Sequence, residues 1–413
     1  MADYRQIPDE RGVFHEYRTY AFVPELGPTP YDSDEHDTPR ALLGSPRGIY
    51  PDADADASEP RAVCRHYWLT ARVRGDLHPT AGLAAVATPP EYRRQGYVGQ
   101  LLEHSLEEYR ERGCRFAVLW PFRYAFYRQF GWDTSNTIVT HECDPETLAF
   151  AAAATDREGS FTRLDADDYE RLESAYDSFA ERYALTLERS DDWWRYRLLE
   201  NFDTDPYIYA YERDGAVRGY LIYTVEANDD HNERTMDVSE LGFETYDDLL
   251  ALLSFCHTHD SQVDRVRLRV PEQVPLLEIA AEPDEIETTV ETGPMVRIVD
   301  VEKTLSALSY PALEAQLTLA VADDAAEWNA GQFTLSVTDG EGVCERIDSS
   351  QSTASAAGNA VARIDIGALS QLVVGARGAS ELERTGRLEA DTATLETLTA
   401  LFPETDVYLS DRF

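Results

Sequence analysis

Apolar side chains recur at helical spacing through residues 97–111, where Val98, Leu101, Leu102, Leu106 and Tyr109 line one stripe with Ser105 among them. The pattern predicts an amphipathic helix that Gly113 is placed to end. Before it, residues 63–88 read as a hairpin: "AVCRHYWLTARV", a turn around Gly75 to Pro79, then "AGLAAVAT". After it, "CRFAVLW" (114–120) is a short, largely apolar strand, and the aromatic segment "AFYRQFGW" follows. Strand, strand, helix, strand is the order of an α/β layer with a helix over a sheet.

A second unit, from about 160 to 300, loosely repeats that order. "DDYERLESAYDSFAERY" is helical, and "YIYAYERDGAVRGYLIYTVE" is a hairpin turning at Asp214-Gly215. "YDDLLALLSFCHTH" is again a helix and "VDRVRLRVP" a strand. A third unit begins near 301. There "YPALEAQLTLAVAD" (310–323) is expected to be a helix and "WNAGQFTLSVTDGEGVCERI" a hairpin, followed by a Gly, Ser and Ala stretch (349–360) and short helices. The fold class is mixed α/β, with expected domains 1–155, 156–300 and 301–413.

Composition narrows the function. Asp and Glu number 77 against 37 Lys and Arg, a net charge of −40, and the sole lysine is Lys303. Such a surface suits concentrated salt, where repulsion is screened, so a halophile's protein is expected. It argues against nucleic acid, which needs a basic face. No apolar run reaches membrane-spanning length, and MADYRQIPDERG has no signal-peptide core, so a cytoplasmic protein is expected. The five cysteines form no C-x-x-C pair, which weighs against a disulfide framework or a thiolate metal site.

"EYRRQGYVGQLL" sets Arg93, Arg94, Gly96 and Gly99 at the mouth of the first helix. Free backbone N–H groups, the helix dipole and two guanidinium groups make a cradle for a pyrophosphate. It is neither the three-glycine dinucleotide fingerprint nor a Walker loop. The plainer alternative is that two exposed arginines offset nearby glutamates.

"AAVATPPEYRRQGYVGQLL" closely resembles the acyl-CoA loop of the GNAT N-acetyltransferase superfamily, where V-x-x-P at a strand end precedes R/Q-x-x-G-x-G/A. The resemblance implies acetyl-CoA as co-substrate and no metal. Val86 and Thr88 would bind the acyl and pantetheine part, and Arg93, Arg94, Gly96, Val98 and Gly99 would form the cradle. One departure is Val98 in the last motif position, with glycine one residue later. "FYRQFGW" (126–132) and the terminal "YLSDRF" are similar to the enhanced intracellular survival family. That likeness implies tandem GNAT-like folds, the second degenerate, then a sterol-carrier-like α+β domain. It also implies N-acetylation of cationic amines such as aminoglycosides or polyamines in a ternary complex, and a homo-hexamer.

Carried over, Tyr127 would be the general acid for the departing thiolate, since a phenol of pKa ~10 matches it in basicity. The α-carboxylate of Phe413 would be the general base. The plainer alternatives are an aromatic-cluster residue for Tyr127 and a frayed terminus for Phe413. A rival function is a non-catalytic acyl-CoA or lipid-binding protein. His257, His259 and Asp260 could form a metal pair but sit at a helix C-terminus, where histidines suit the dipole. Residues 31–37 and 52–59 read as solvated acidic loops able to attract a cationic amine.

Overall fold

A computed structural model describes residues 3–7, 12–51, 59–154, 159–200, 202–228, 233–347 and 361–413. The 349–360 stretch and residues 52–58 of the second acidic loop lie outside the described residues. The chain divides into two compact units, one of residues 1–135 with 294–411 and Phe413, the other of residues 136–293 with Arg412.

In the first unit a sheet runs in the order β1 (Asp3–Gln6), β2 (Ser45–Tyr50), β3 (Ala62–Val73), β4 (Asp76–Ala87), β5 (Phe116–Leu119), β7 (Met295–Ile298), β6 (Asp133–Thr134). β3 and β4 turn tightly through Arg74 and Gly75, whose φ values of 54° and 87° suit the right-handed twist of a hairpin. The turn is shorter than expected, and Pro79 lies within β4. β4 and β5 pair in parallel, and a parallel pair needs a crossover. Helix α2 (Tyr97–Glu111) supplies it. Its stripe of Leu101, Leu102, Leu106 and Tyr109 packs with Ala81, Leu83, Ala117 and Leu119 of the two strands. Helix α1 (Gly12–Phe22) packs with another cluster, in which Phe14 meets Val63 and Ala87.

Glu108 ties α2 to three strands. It accepts from Arg47 at 2.6 and 2.9 Å, from Tyr4 Oη at 2.6 Å and from Arg112 at 2.9 Å. His66 Nδ1 lies 3.5 Å away. Burial alone would raise the Glu108 pKa, but the nearby His66 ring and hydrogen bonds from Arg47 and Tyr4 hold the carboxyl well below the usual range.

The segment after the second unit returns to this sheet. β7 pairs with β5 on one side and β6 on the other. Its Arg297 is fully buried, donating to Asp323 Oδ2 at 2.6 Å and to the Phe130 carbonyl. Gly131, at φ 82°, has no room for a Cβ, which would overlap the Arg297 guanidinium. That explains the glycine in "FGW". A second sheet follows in the order β10 (Glu341–Arg346), β9 (Gly331–Thr338), β8 (Ala315–Ala322), β11 (Val361–Asp365), β12 (Leu388–Glu389). The 310–323 segment is therefore not a helix. Residues 315–322 are a strand whose Leu317, Leu319 and Val321 point inward, and pairing on both edges overrides the helical composition. The expected hairpin at 328–347 is present as β9 and β10.

The second unit holds a sheet in the order 287–292, 137–143, 265–270, 233–243, 216–228, 207–213, 160–164. Its hairpin turns at Asp214-Gly215, and its parallel pair, 233–243 with 265–270, is crossed by helix α4 (Tyr246–His257).

Glu108→Gln should lower stability by about 3 kcal/mol at neutral pH, because it leaves the Arg47 cation without its partner. A depressed folded-state pKa stabilises above the unfolded value near ~4.3 and loses that contribution as pH falls. Urea unfolding at several pH values should therefore show the wild-type advantage shrinking below pH ~4. A gap that does not change with pH would mean the carboxylate does not anchor α2.

Candidate active site

The site starts where β4 leaves its neighbour. β4 pairs with β5 only from Thr80 to Leu83, although β4 runs on to Ala87. On the other edge, Arg65 is opposite Ala84 and Val63 opposite Ala87, so Ala85 and Val86 together face the single residue Cys64. This is a β-bulge, and Ala85 takes φ 50° to make it. Among the described residues, the β4 edge that faced β5 has no strand partner from Ala84 onward. Its backbone groups are open to an extended ligand carrying amides.

The chain then passes Thr88, Arg93, Arg94 and Gly96 into α2. Arg94 (φ 58°) and Gly96 (φ 85°) are both in the left-handed region, a winding that turns successive N–H groups to one side. Gly96 is the N-cap and has no side chain to close the helix end, and the first turn has no acidic residue. Open space lies over the Gly96 Cα. In a chain of net charge −40, an uncapped 15-residue helix that starts without acid is a ready anion site. Arg94 is exposed and makes no ion pair among the described residues. Arg93 donates to the Thr88 carbonyl at 3.2 Å and lies over the Tyr20 ring at 5.5 Å.

The remaining loop residues have distinct places. The side chains of Val86 and Val98 are partly buried and pack against the α2 core cluster. Thr88 Oγ1 is spent on the Arg61 carbonyl at 2.7 Å. Gly99 sits under the Phe130 ring, where a Cβ would make an ordinary contact at 3.4 Å, so the space there does not require glycine.

Tyr127 lies on α3 (Tyr124–Arg128) and is 3% exposed. Phe126, Phe122 and Trp132 surround it with ring centroids at 5.2, 5.5 and 6.4 Å. It belongs to the same cluster that Val86 and Val98 pack against. Its hydroxyl makes no hydrogen bond among the described residues. Burial, with a smaller contribution from Cys64, pushes its pKa well above the ordinary phenol value. It is therefore a neutral O–H throughout the physiological range.

The C-terminal segment is packed, with Leu409 and Asp411 buried. Trp120, just past β5, donates to the Asp411 carbonyl at 2.8 Å. The Phe413 ring meets Tyr67 edge-on at 5.5 Å and covers Gly82 of β4, 3.0 Å from where a Cβ would stand. Gly82, Trp120 and Ala85 are site features the sequence reading did not name. A glycine inside a strand was a readable sign of close approach. An alanine bulge left no sign.

Other candidates stay apart. His257 Nδ1 is 3.1 Å from the Pro145 carbonyl and His259 Nδ1 is 3.0 Å from that of Phe255. No group of three or more metal-ligating side chains occurs among the described residues. In the 31–37 loop, Asp32 caps a short helix, Ser33–His36, and His36 meets His15 of α1 with ring centroids 4.1 Å apart.

Residues 58–135 match an acetyltransferase (GNAT) domain, residues 185–298 a second one, and residues 301–410 a sterol carrier protein domain. The N-acetyltransferase Eis of Mycobacterium tuberculosis and that of Mycobacterium bovis are each 27% identical to this chain over 365 residues, 85% of either chain. A GCN5-related N-acetyltransferase from Anabaena variabilis has the same fold, with a TM-score of 0.84 at 23% identity over 100% of both chains. Eis1 from Mycobacterium abscessus also shares it, with a TM-score of 0.77 at 21% identity over 100% of both.

If the loop holds the pyrophosphate, Arg94→Glu should weaken acetyl-CoA binding by about tenfold or more, because it would set a carboxylate in place of a charge-assisted contact of roughly 1.5–3 kcal/mol. Calorimetry at fixed salt checks this, with a thermal melt to show that the exposed substitution spares the fold. Unchanged affinity would remove the cradle.

Proposed function

We propose that this chain, an acetyltransferase of the Eis/GNAT type with two GNAT domains and a C-terminal sterol carrier domain, moves an acetyl group from acetyl-CoA to a cationic primary amine by direct attack in a ternary complex. The observation that carries this reading is the open N-terminus of α2 beside Arg94, set at the end of a strand that has parted from its neighbour. Pyrophosphate lies on Arg93, Arg94 and the N–H groups of Gly96, Val98 and Gly99. Pantetheine amides and the acetyl carbonyl run along the free edge of β4 at Val86 and Thr88.

In the reaction the amine nitrogen forms a bond to the thioester carbonyl carbon, and the carbon–sulfur bond then breaks. Backbone N–H groups at the bulge stabilise the oxyanion. Tyr127 gives its proton to the departing thiolate. Its burial is no obstacle, since a thiolate forming in the same apolar surroundings is also a stronger base than in water. The ammonium sheds one proton before attack, which the Phe413 α-carboxylate accepts directly or through water, and the nitrogen loses a second as the carbon–sulfur bond breaks, which returns through water to the Tyr127 oxygen. The packing of Phe413 on Gly82, within the same strand as the bulge, supports this role.

Residues 156–300 are proposed as a degenerate repeat. At α4, Thr245 and Asp248 close the helix end by mutual hydrogen bonds, with Asp247 adding charge where a phosphate would lie. The acidic surface is proposed as an adaptation to concentrated salt in the cytoplasm, and a homo-hexamer is the proposed assembly. The rival lipid-binding reading would show lipid co-purifying without turnover.

Tyr127→Phe should keep acetyl-CoA binding and lose turnover by about a hundredfold, the low end of general acid–base catalysis. Near-normal kcat would return Tyr127 to a packing role. Thiol release should require added amine, and initial rates against both substrates should give intersecting lines. Parallel lines would mean an acetylated enzyme instead of a ternary complex. Gly82→Ala should displace the Phe413 ring, lowering kcat while leaving acetyl-CoA affinity within about twofold, as for a contact that holds only the tail. Unaltered kcat would place the proton acceptor elsewhere.

A further inference from the structure

We infer that the acceptor carries a carboxylate as well as its amine, and that Arg18 and Arg65 read it on the α1 face of the transfer site. The inference rests on the transfer site being at the β4 bulge, as proposed above. Arg65 is opposite Ala84, the last residue before the bulge. Side chains alternate along β3, so Arg65 shares a face with Val63 and Tyr67 and not with Cys64 and His66. Val63 packs with α1, and Tyr67 carries the Phe413 ring. Arg65 lies over Phe14 of α1 at 4.8 Å, and Arg18 is one helical turn farther along α1. Two cations therefore stand over the strand pair that would present the acetyl group.

Their isolation from acid is the anomaly. The chain has 77 carboxylate side chains for 37 basic ones, and among the described residues the other buried arginines meet them, Arg47 with Glu108, Arg189 with Glu240 and Arg297 with Asp323, while the half-buried Arg74 is held by the Val373 and Leu372 carbonyls. Neither the Arg18 nor the Arg65 guanidinium makes an ion pair or hydrogen bond among the described residues. Arg65 is 8% exposed, and its Nε is buried with no partner. Burial, and then the nearby Arg65 charge, lowers the Arg18 pKa. A buried donor left unmade and two like charges side by side both cost stability. A bound carboxylate removes both costs at once, since a planar guanidinium takes it in a two-pronged bond. The acceptor class is then a zwitterionic amine, such as an amino acid presenting a side-chain or α-amine, and not a pure polyamine.

Lysine and 1,5-diaminopentane differ in that one carboxylate. For the full-length protein saturated with acetyl-CoA, kcat/KM for lysine should exceed that for the diamine by about tenfold or more. The ratio should fall toward one in Arg18→Gln, a change on the partly exposed helix, and in Arg65→Met. Equal values in the wild-type protein, or a preference that survives both substitutions, overturns the proposal. A matching loss of acetyl-CoA affinity in both variants also overturns it, because the arginines would then be reading the co-substrate. Calorimetry with the CoA-loaded protein separates the two readings. Arginine-dependent binding of lysine over the diamine without turnover sustains this proposal while the acetyl-transfer reading fails. Binding of neither amine, or of both alike, overturns it.

Discussion

One constraint in the first sheet governs the site: the parallel pairing of β4 and β5 ends at Leu83. Parallel strands need a crossover, so α2 must begin near the end of β4 and its positive pole must face that end. The Ala85 bulge then turns β4 away, and the strand's free edge and the helix's free N–H groups come to lie on one continuous stretch of chain. An extended thioester with a pyrophosphate matches both parts. Glu108 and the groups around it hold the far half of the helix to β1, β2 and β3, so the open end has a fixed place.

The second unit shows what that geometry is worth without its chemistry. It has the same parallel pair and crossover helix, yet Thr245 and Asp248 satisfy the helix end internally and Asp247 repels anions. A capping box stabilises a helix by roughly one kcal/mol and consumes the donors an anion would use. In α2 that local stability is absent, as expected where a ligand supplies the missing partners. The C-terminal segment contributes differently. The buried Arg297–Asp323 pair joins β7 to the turn after β8, and Gly131 leaves space for it. The same compact unit carries the packed tail that ends at Tyr67 and Gly82.

Much of this was legible where local chemistry governs structure. The α2 stripe, the Asp214-Gly215 turn and the arginine–glycine loop are patterns over a few residues, and each has its structural counterpart. The 310–323 segment misled because Leu, Ala and Glu favour helix, while its inward Leu317, Leu319 and Val321 answer to strands on both sides. The return of β7 to β5 was not legible, since nothing local in Met295–Ile298 names a strand so distant in the chain. Nor was the Ala85 bulge, because alanine rarely takes positive φ and gives no turn signal. Arg18 and Arg65 looked like any other arginines. Only folding shows that they lack the carboxylates found beside others.

Amide hydrogen exchange with and without acetyl-CoA tests the central claim most directly. If the free edge of β4 and the open end of α2 hold the co-substrate, amides in 84–87 and 94–99 should gain protection on its addition. The self-capped end of α4, at 245–248, should not change and serves as an internal control. Protection at 245–248, or none at 94–99 under saturating acetyl-CoA, would contradict the account.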